Sequence, residues 1–399
     1  MTVDLLDQIL PHVKDAIYPE RRPLPIWKFK DGDVPAAQSS SLRDQAWPST
    51  QIPYQWIGDN KTIWFRHEVT IPPGFIGKPV AVLLEIPEAL LFVDGKLCQG
   101  LDVHHKESYL TEKGRSHQSF LFAIRTSSGR KRGINSFSNA ELVVINRTAR
   151  ALHNGLTTLR ELDKLASHGS QESKDVRELI RRTLIFLKYF KPEGEEYPNA
   201  IGRAYKFLTT SVENEFKTTI PGMVHLIAQS RLDPAWLWTI QETNHKAAAT
   251  FSNALRVLEE FPGSTFTQSQ AFLYELTGRS YPDVLRLVKL KVAEGRWEPV
   301  GSMWVEPDCN IPGGESLIRN ILLGKKYFKA EFGSDSSVAW LPDSPGFASN
   351  LPQILRKSGF SFFFTAKPLK NDKTKFPHNS FWWEGLDGTR ILSHVPPVG

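Results

Sequence analysis

Three hydrophobic periodicities follow one another along the chain. Up to about residue 146 apolar and polar positions alternate. "TIWFRHEVTIPPG" alternates cleanly and closes on Pro72-Pro73-Gly74. "PVAVLLEIPEALLFVDGKLCQG" holds two strand runs, and Asp94-Gly95 is a hairpin signal because glycine accepts the positive φ of such turns. "HQSFLFAIRT" and "AELVVIN" add further strands. Closely spaced short strands predict a β-sandwich over 50–146, after a lead-in over 1–49 rich in Pro and Ser. Sandwiches of this kind either bind sugars or support a neighbouring domain.

From Arg147 the period changes to 3.6. "ALHNGLTTLRELDKLA" sets Leu152, Leu156, Leu159 and Leu162 on one face, and "DVRELIRRTLIFLKYF" repeats the pattern. A helical linker segment is expected over 147–217, packed between its neighbours. From Thr218 to Gly399 strand and helix patterns alternate. "MVHLIA" reads as a buried strand, and Asp233-Pro234 as a helix start, Asp as N-cap and Pro in the first turn. "TFTQS", "WEPVGSMWV", "SVAWL" and "FSFFFTA" read as further strands separated by helices. The helix "ESLIRNILLGKKYFKAEFG" is expected to bury Leu317, Ile318, Ile321, Leu322 and Phe328 and to stop at Gly333. The fold class is therefore multidomain: an N-terminal β-sandwich, a helical linker, and a parallel α/β unit over 218–399, its sheet open or closed into a β/α barrel-like form. A length of 399 residues suits two or three domains.

Parallel α/β folds carry their chemistry at the C-terminal ends of the strands. Those ends hold Arg231, Asp233 and Trp236; Gln268 and Gln270; Trp304, Glu306 and Asp308; Asp343; and Lys367. Aspartate is also the ordinary helix N-cap at such junctions, and capping alone would account for Asp233. Carboxylates after three separate strands converge in space, which capping does not explain. Glu306 and Asp308 are open to either role, shaping a pocket or capping the next helix. His225, inside the first strand, reads as a core histidine. His378 and His394 flank the hairpin "FWWEGLDGTRIL", and His394 ends a strand near the rim.

Charge and composition narrow the classes. The formal net charge is +6, yet Lys and Arg are scattered, and the densest cluster is Arg130-Lys131-Arg132. A groove-reading protein needs a concentrated basic face, so nucleic acid is not the expected partner. Eleven Trp favour a carbohydrate site, since flat sugar faces pack on aromatic rings, although most Trp fill cores. Two distant cysteines, Cys98 and Cys309, give no disulfide framework and favour a reducing compartment. The first residues lack a basic start followed by an apolar core, so no secretory signal is read there. No apolar run spans a bilayer. The compartment expected is cytoplasmic, or vacuolar without a signal peptide. Asn60-Lys61-Thr62 and Asn146-Arg147-Thr148 match the glycosylation pattern by chance on this reading.

Paired carboxylates beside aromatic rings suit glycosidic cleavage. In retaining enzymes one carboxylate attacks the anomeric carbon and a second, about 5–5.5 Å away, protonates the leaving oxygen. A positive charge beside the first keeps it ionised.

From Met223 to Pro397 the chain resembles the glycoside hydrolase family 38 α-mannosidases, most of all their cytosolic or vacuolar type. The matching stretches are "LDPAWLW", "FTQSQAFLYE", "EGRWEPVGSMWVEPDCN", "GESLIRNILLGKKYF", "WLPDSPGF", "LPQILRKSG" and "FWWEGLDGTRIL". The resemblance implies a retaining mechanism and a zinc ion that grips vicinal sugar hydroxyls. It implies Asp343 as nucleophile and metal ligand, Asp233 as another metal ligand, and Trp236 as a ring of the sugar pocket. Trp304 and Lys367 join them as candidate substrate contacts. Three departures stand out. The family's His-x-His-x-Asp is here Gln229-x-Arg231-x-Asp233. Its Asp-x-Phe-Gly is Asp343-Ser344-Pro345-Gly346. The general acid and a further metal His are expected beyond Gly399. Arg231 replaces a zinc ligand and stays protonated, so it cannot bind the metal.

The expectation is that Arg231 occupies the place of the ion and forks across Asp233 and Asp343. No cofactor is then required, and zinc enters at Asp233 and Asp343 only if the family's metal site survives. Two functions follow: a metal-independent glycosidase on α-mannosides or a related sugar, or a catalytically silent sugar-binding or scaffold protein. A metal-dependent deacetylase would want a His-rich rim, which this one lacks. The expected partner is a carbohydrate, with neither nucleic acid nor membrane, and self-association is left open. Sugar identity and linkage are not legible.

Overall fold

The computed structural model describes residues 2–397 apart from 60, 129–132, 168, 216–224 and 372. Arg130-Lys131-Arg132, Asn60, Met223 and Val224 lie outside the described residues. Two long strands organise the first region. Thr62–Thr70 and Ser119–Ser127 pair antiparallel from Thr62↔Ser127 to Thr70↔Ser119. They sit in a six-stranded sheet ordered Ser49–Gln51, Ile26–Asp31, Thr62–Thr70, Ser119–Ser127, Ala89–Val93, Lys96–Leu101. A second sheet orders Glu20–Pro23, Asn139–Val144, Val80–Glu85, Glu107–Thr111, all antiparallel. The period-two pattern explains the core. Ile63 and Phe65 point to the face shared with Trp27, Val82, Leu84, Phe122 and Phe137. Trp64 points to the other, with Leu90, Phe92 and Ala37. Asp94 and Gly95 turn the hairpin at φ +50 and +82.

The stretch 1–49 is more than a lead-in. Thr2–Asp15 is a helix, and Leu6, Leu10 and Val13 pack into the helical cluster. Glu20–Pro23 and Ile26–Asp31 each add a strand to one sheet. The Pro and Ser content masked these short elements because their partners are distant in sequence. Arg147–Leu165, Gln171–Lys188 and Tyr197–Glu215 complete the helical cluster. Asn146 caps the first through its side chain, which accepts from the Ala149 N–H. Leu152, Leu156 and Leu159 are buried, but Leu162 is exposed because the last turn runs past the cluster.

Beyond residue 224 the strands are short. Phe266–Gln268 pairs parallel with Trp297–Pro299. Val338–Trp340, Phe362–Phe364 and Arg390–His394 run parallel, and Ser380–Glu384 returns antiparallel through the Asp387-Gly388 turn. Helices Ile240–Glu260, Ala271–Ser280, Pro282–Ala293, Gly314–Phe332 and Leu351–Lys357 lie between. Several expectations are corrected here. His225, Leu226 and Ile227 are exposed and form no strand, so His225 is not a core histidine. Among the described residues, only a Gln229–Thr267 parallel bridge marks the expected first strand. Asp233 does not cap a helix, since the helix starts at Ile240 under a Thr239–Glu242 capping box that already satisfies its first N–H groups. In Gly314–Phe332 the buried stripe is Leu317, Ile321, Gly324 and Phe328, while Ile318 and Leu322 are exposed one step around the helix. Gly324 is needed there, because a Cβ would come 2.3 Å from the Met303 carbonyl carbon. That close approach seats the helix against the turn leading to Glu306.

Candidate functional site

Three strand ends deliver charge to one place. Arg231 follows the Gln229 bridge, Asp343 follows Val338–Trp340, and Lys367 and Lys370 follow Phe362–Phe364. Arg231 Nη2 meets Asp233 Oδ1 at 2.7 Å and Nη1 meets Asp343 Oδ2 at 2.7 Å. One planar guanidinium thus bridges carboxylates from two different turns, a geometry its fork of donors favours. Asp343 Oδ1 also accepts from Lys367 Nζ at 3.1 Å and Lys370 Nζ at 2.8 Å. The Asp343 side chain is 10% exposed, against 36% for Arg231, so the cation is the more accessible of the two. Lys370 was not among the sequence candidates. Its signal was the spacing, for Lys367–Leu369 is a 3-10 turn, and residues three apart on such a turn share a face.

Burial by itself would raise the Asp343 carboxyl. Hydrogen bonds from Lys370 and Lys367 and the charges of Arg231 and Lys367 outweigh it and hold the group below its usual range. Glu306 goes the other way. Burial pushes its carboxyl up, the Asp343 N–H and Arg231 pull it down less strongly, and the negative Asp343 and Asp233 add to the rise. Glu306 Oε1 accepts the Asp343 N–H at 2.6 Å. Of its two sequence roles it therefore takes neither cap nor open pocket wall; it holds the backbone of the Asp343 turn. Asp308 caps locally, accepting from the N–H groups of Asn310 and Ile311 at 2.7 and 3.2 Å.

The remaining candidates spread out. Trp236 is 69% exposed and meets Trp238 edge-on at 6.1 Å. Trp304 packs beside Phe272 and Tyr327, with centroids at 5.9 and 6.0 Å. Gln229 Oε1 accepts the Trp340 indole N–H at 2.9 Å, and Trp340 stacks on Phe364 at 3.9 Å. This anchoring role for Gln229 left no trace in the sequence. His394 is exposed, bonded through Nδ1 to Ser380 Oγ at 2.8 Å, and His378 is exposed. The Ser344-Pro345-Gly346 departure has a packing side: a Cβ at Gly346 would come 2.0 Å from Asn310 Nδ2. Phe347, one residue on, is packed against Phe363 and Trp383. Among the described residues no helix is long and apolar enough to cross a membrane.

The family model described as the glycosyl hydrolases family 38 N-terminal domain matches residues 221–398. This region belongs to glycoside hydrolase family 38. Similarity to individual proteins reaches well upstream of it. "Alpha-mannosidase G" of Dictyostelium discoideum is 30% identical over 360 residues, 84% of this chain and 32% of its own length. "Alpha-mannosidase 2C1" of Homo sapiens is 32% identical over 355 residues, 84% of this chain and 34% of its own. "Alpha-mannosidase" of Saccharomyces cerevisiae is 38% identical over 175 residues, 44% of this chain and 16% of its own. The chain spans about a third of the length of the first two.

The zinc expected of family 38 does not fit the residues present. A zinc site gathers about four N, O or S ligands. Here a permanent cation lies between the two carboxylates, two ammonium groups hold Asp343 Oδ1, and Gln229 is turned to Trp340. No group of three or more His, Cys, Asp or Glu suited to a metal occurs among the described residues.

Proposed function

We propose that the full-length protein is a retaining glycosidase for terminal α-mannosides or a related glycoside, with Asp343 as nucleophile and Arg231 in place of the family's metal. The observation that carries this reading is the Arg231 fork across Asp233 and Asp343, together with the two lysines on the same carboxylate. A nucleophilic carboxylate must be ionised, oriented and reachable. Three cations favour the ionised form, and the fork fixes the plane of the group. Oδ1 accepts from two ammonium groups and Oδ2 from one guanidinium N–H. A carboxylate oxygen has two lone pairs, so Oδ2 keeps one for attack. In the first step Oδ2 bonds to the anomeric carbon as the bond to the leaving oxygen breaks, and that oxygen takes a proton from a general acid. Water then hydrolyses the glycosyl-enzyme ester, and Asp343 leaves as carboxylate. Arg231 and Asp233 remain partly open and serve as donor and acceptor for sugar hydroxyls, with Trp236 as the nearby ring. Lys367 acts on Asp343, while Trp304 packs against Phe272 and Tyr327.

The domain reading that accompanies this takes 50–146 as a sandwich, 147–217 as a helical link, and 218–399 as part of a β/α barrel-like catalytic domain. The parallel pairs among the later strands support it.

One observation favours a second reading. Asp343 is tied by three cations and is largely covered, which would also suit a sugar-binding protein without turnover. A single assay separates the two. The full-length protein is expected to hydrolyse 4-nitrophenyl α-mannoside at a rate untouched by a chelator, and Asp343→Asn to lower kcat/KM by roughly 1,000-fold or more. Sugar binding without turnover supports the second reading. Stoichiometric zinc in the purified protein, lost with Asp343→Asn, refutes the arginine mechanism.

A further inference from the structure

A chain of hydrogen bonds joins the two carboxylate-bearing turns, and the chemistry above does not use it. Gln270 is 3% exposed. Its Nε2 donates to the Leu232 carbonyl at 2.8 Å, in the peptide that leads from Arg231 to Asp233. Its Oε1 accepts the Glu306 N–H at 3.0 Å. Glu306 Oε1 in turn accepts the Asp343 N–H at 2.6 Å and lies 3.5 Å from Ser344 Oγ, which donates to the Pro307 carbonyl at 2.8 Å. The path from Leu232 to Asp343 is thus continuous through two side chains.

The ordinary explanation for Gln270 would be helix capping. It stands at the N-cap position of Ala271–Ser280, yet its side chain makes no cap bond. Its φ is +69, a left-handed conformation that a non-glycine residue adopts at a cost and keeps only where the surroundings over-determine it. Both ends of its amide are directed instead at the turns carrying Arg231 and Glu306. Glu306 is equally unusual, a partly buried carboxyl whose short bond reaches the backbone of Asp343. A guanidinium bridging two carboxylates works only if their spacing is held to about 0.5 Å. Arg231 and Asp343 come from separate turns, and some rigid part must set that spacing.

We propose that Gln270 and Glu306 are positioning residues that hold the Arg231–Asp233 turn at the right distance from Asp343. The inference rests on the glycosidase reading. Glu306 fixes the height of the Asp343 backbone, Gln270 fixes Leu232 against the Glu306 backbone, and the fork closes between them.

The test uses the full-length protein, 4-nitrophenyl α-mannoside kinetics and hydrogen–deuterium exchange by mass spectrometry. Glu306→Leu removes the acceptor of the Asp343 N–H, while Glu306→Gln retains it. Gln270→Gly removes both amide bonds and takes φ +69 without strain, and a thermal melt of each variant checks that it is folded before its kinetics are read. Glu306→Leu and Gln270→Gly are expected to lower kcat by roughly 30-fold with KM within about threefold, because small misplacement of reacting groups acts on the chemical step. Glu306→Gln is expected to stay within about fivefold of wild type. In Gln270→Gly, exchange should rise in the peptide carrying the Asp343 N–H, which Gln270 does not touch. Unchanged kcat in Glu306→Leu or Gln270→Gly overturns the proposal. So does an exchange increase confined to the Glu306 turn. A wild type without turnover would sink the glycosidase reading on its own, and the exchange measurement would still decide the positioning.

Discussion

Two arginine–aspartate nodes in this molecule look alike on paper and differ in what surrounds them. Arg66, on strand Thr62–Thr70 of the six-stranded sheet, is 3% exposed. It donates through Nε to Asp44 Oδ2 at 2.8 Å and through Nη1 to the carbonyls of Ala37 and Ser39. Lys28 holds the other Asp44 oxygen at 2.7 Å. The whole node closes one loop over Trp64, Leu90 and Phe92. Arg231 is half-exposed, and its described partners are two carboxylates from different turns rather than backbone carbonyls. An arginine whose donors end on carbonyls of its own region serves the fold. One that gathers carboxylates at a set of strand ends, with further cations on the other oxygen of the same carboxylate, keeps charge where a polar ligand can reach it.

The largest effect that could break this contrast is on stability at Arg66. Arg66→Ala leaves Asp44 with Lys28 alone and the buried Ala37 carbonyl without its arginine donor, while the Ser39 carbonyl keeps the Leu42 N–H. Removing one partner of a buried pair costs about 3–5 kcal/mol. The melting temperature should fall accordingly, with turnover per folded molecule unchanged. Burial alone would raise the Asp44 carboxyl, and Lys28 and Arg66 hold it below its ordinary value of 3.8. A depressed acid stabilises the fold above that ordinary value and loses the contribution as pH falls through the lower folded one. The gap between wild type and Arg66→Ala should therefore close in strong acid. A constant gap would mean that Arg66 acts by packing and not through Asp44.

Arg231→Lys is the counterpart. Lysine keeps the charge and loses the fork. The expected loss is roughly 30-fold in kcat/KM, or about 2 kcal/mol of transition-state stabilisation. Stability should move by about 1 kcal/mol or less, as for other half-exposed pairs. If instead Arg231→Lys melts early and keeps its turnover, the two nodes are the same kind of object and the contrast fails.

The sheet-rich first region was the easier to foresee, and the reason is periodicity. Thr62–Thr70 and Ser119–Ser127 are nine residues each, long enough for alternation to show which side chains face the core. Strands Glu20–Pro23 and Ser49–Gln51 are too short for any pattern and gain their structure from partners far along the chain. The same limit operates in the later region, where each parallel strand has three to five residues. Most helices were legible there, but the first begins at Ile240 and not at Asp233-Pro234, and the expected strand over residues 223–228 was not found in its described part. At the site, residue types at strand ends brought out Arg231, Asp233, Asp343 and Lys367. For Glu306 and Gln270, also found at strand ends, what went unseen is that they act through the backbone. Glu306 bonds an N–H and Gln270 a carbonyl, and such bonds leave no spacing rule in a single sequence. Gln229 is a similar case, since its partner Trp340 is known only once two strands lie side by side.

The smallest effect comes from Glu306→Gln, and its sign is what matters. Burial raises the folded Glu306 carboxyl above its ordinary 4.5. A raised acid contributes fully to stability below the unfolded value and loses that contribution as pH rises through the folded one. Asp343, displaced downward, behaves in the opposite sense. Glutamine does not titrate, and its Oε1 can still accept the Asp343 N–H. The stability difference between Glu306→Gln and wild type should therefore be flat below about pH 4, move in favour of the variant above the ordinary glutamate value, and level off once wild-type Glu306 is fully ionised. Urea melts at a series of pH values measure it. A variant that instead loses ground to wild type as pH rises would show that Arg231 holds Glu306 ionised as well. The guanidinium would then serve three carboxylates, and Asp343 could no longer be singled out from its neighbours by charge alone.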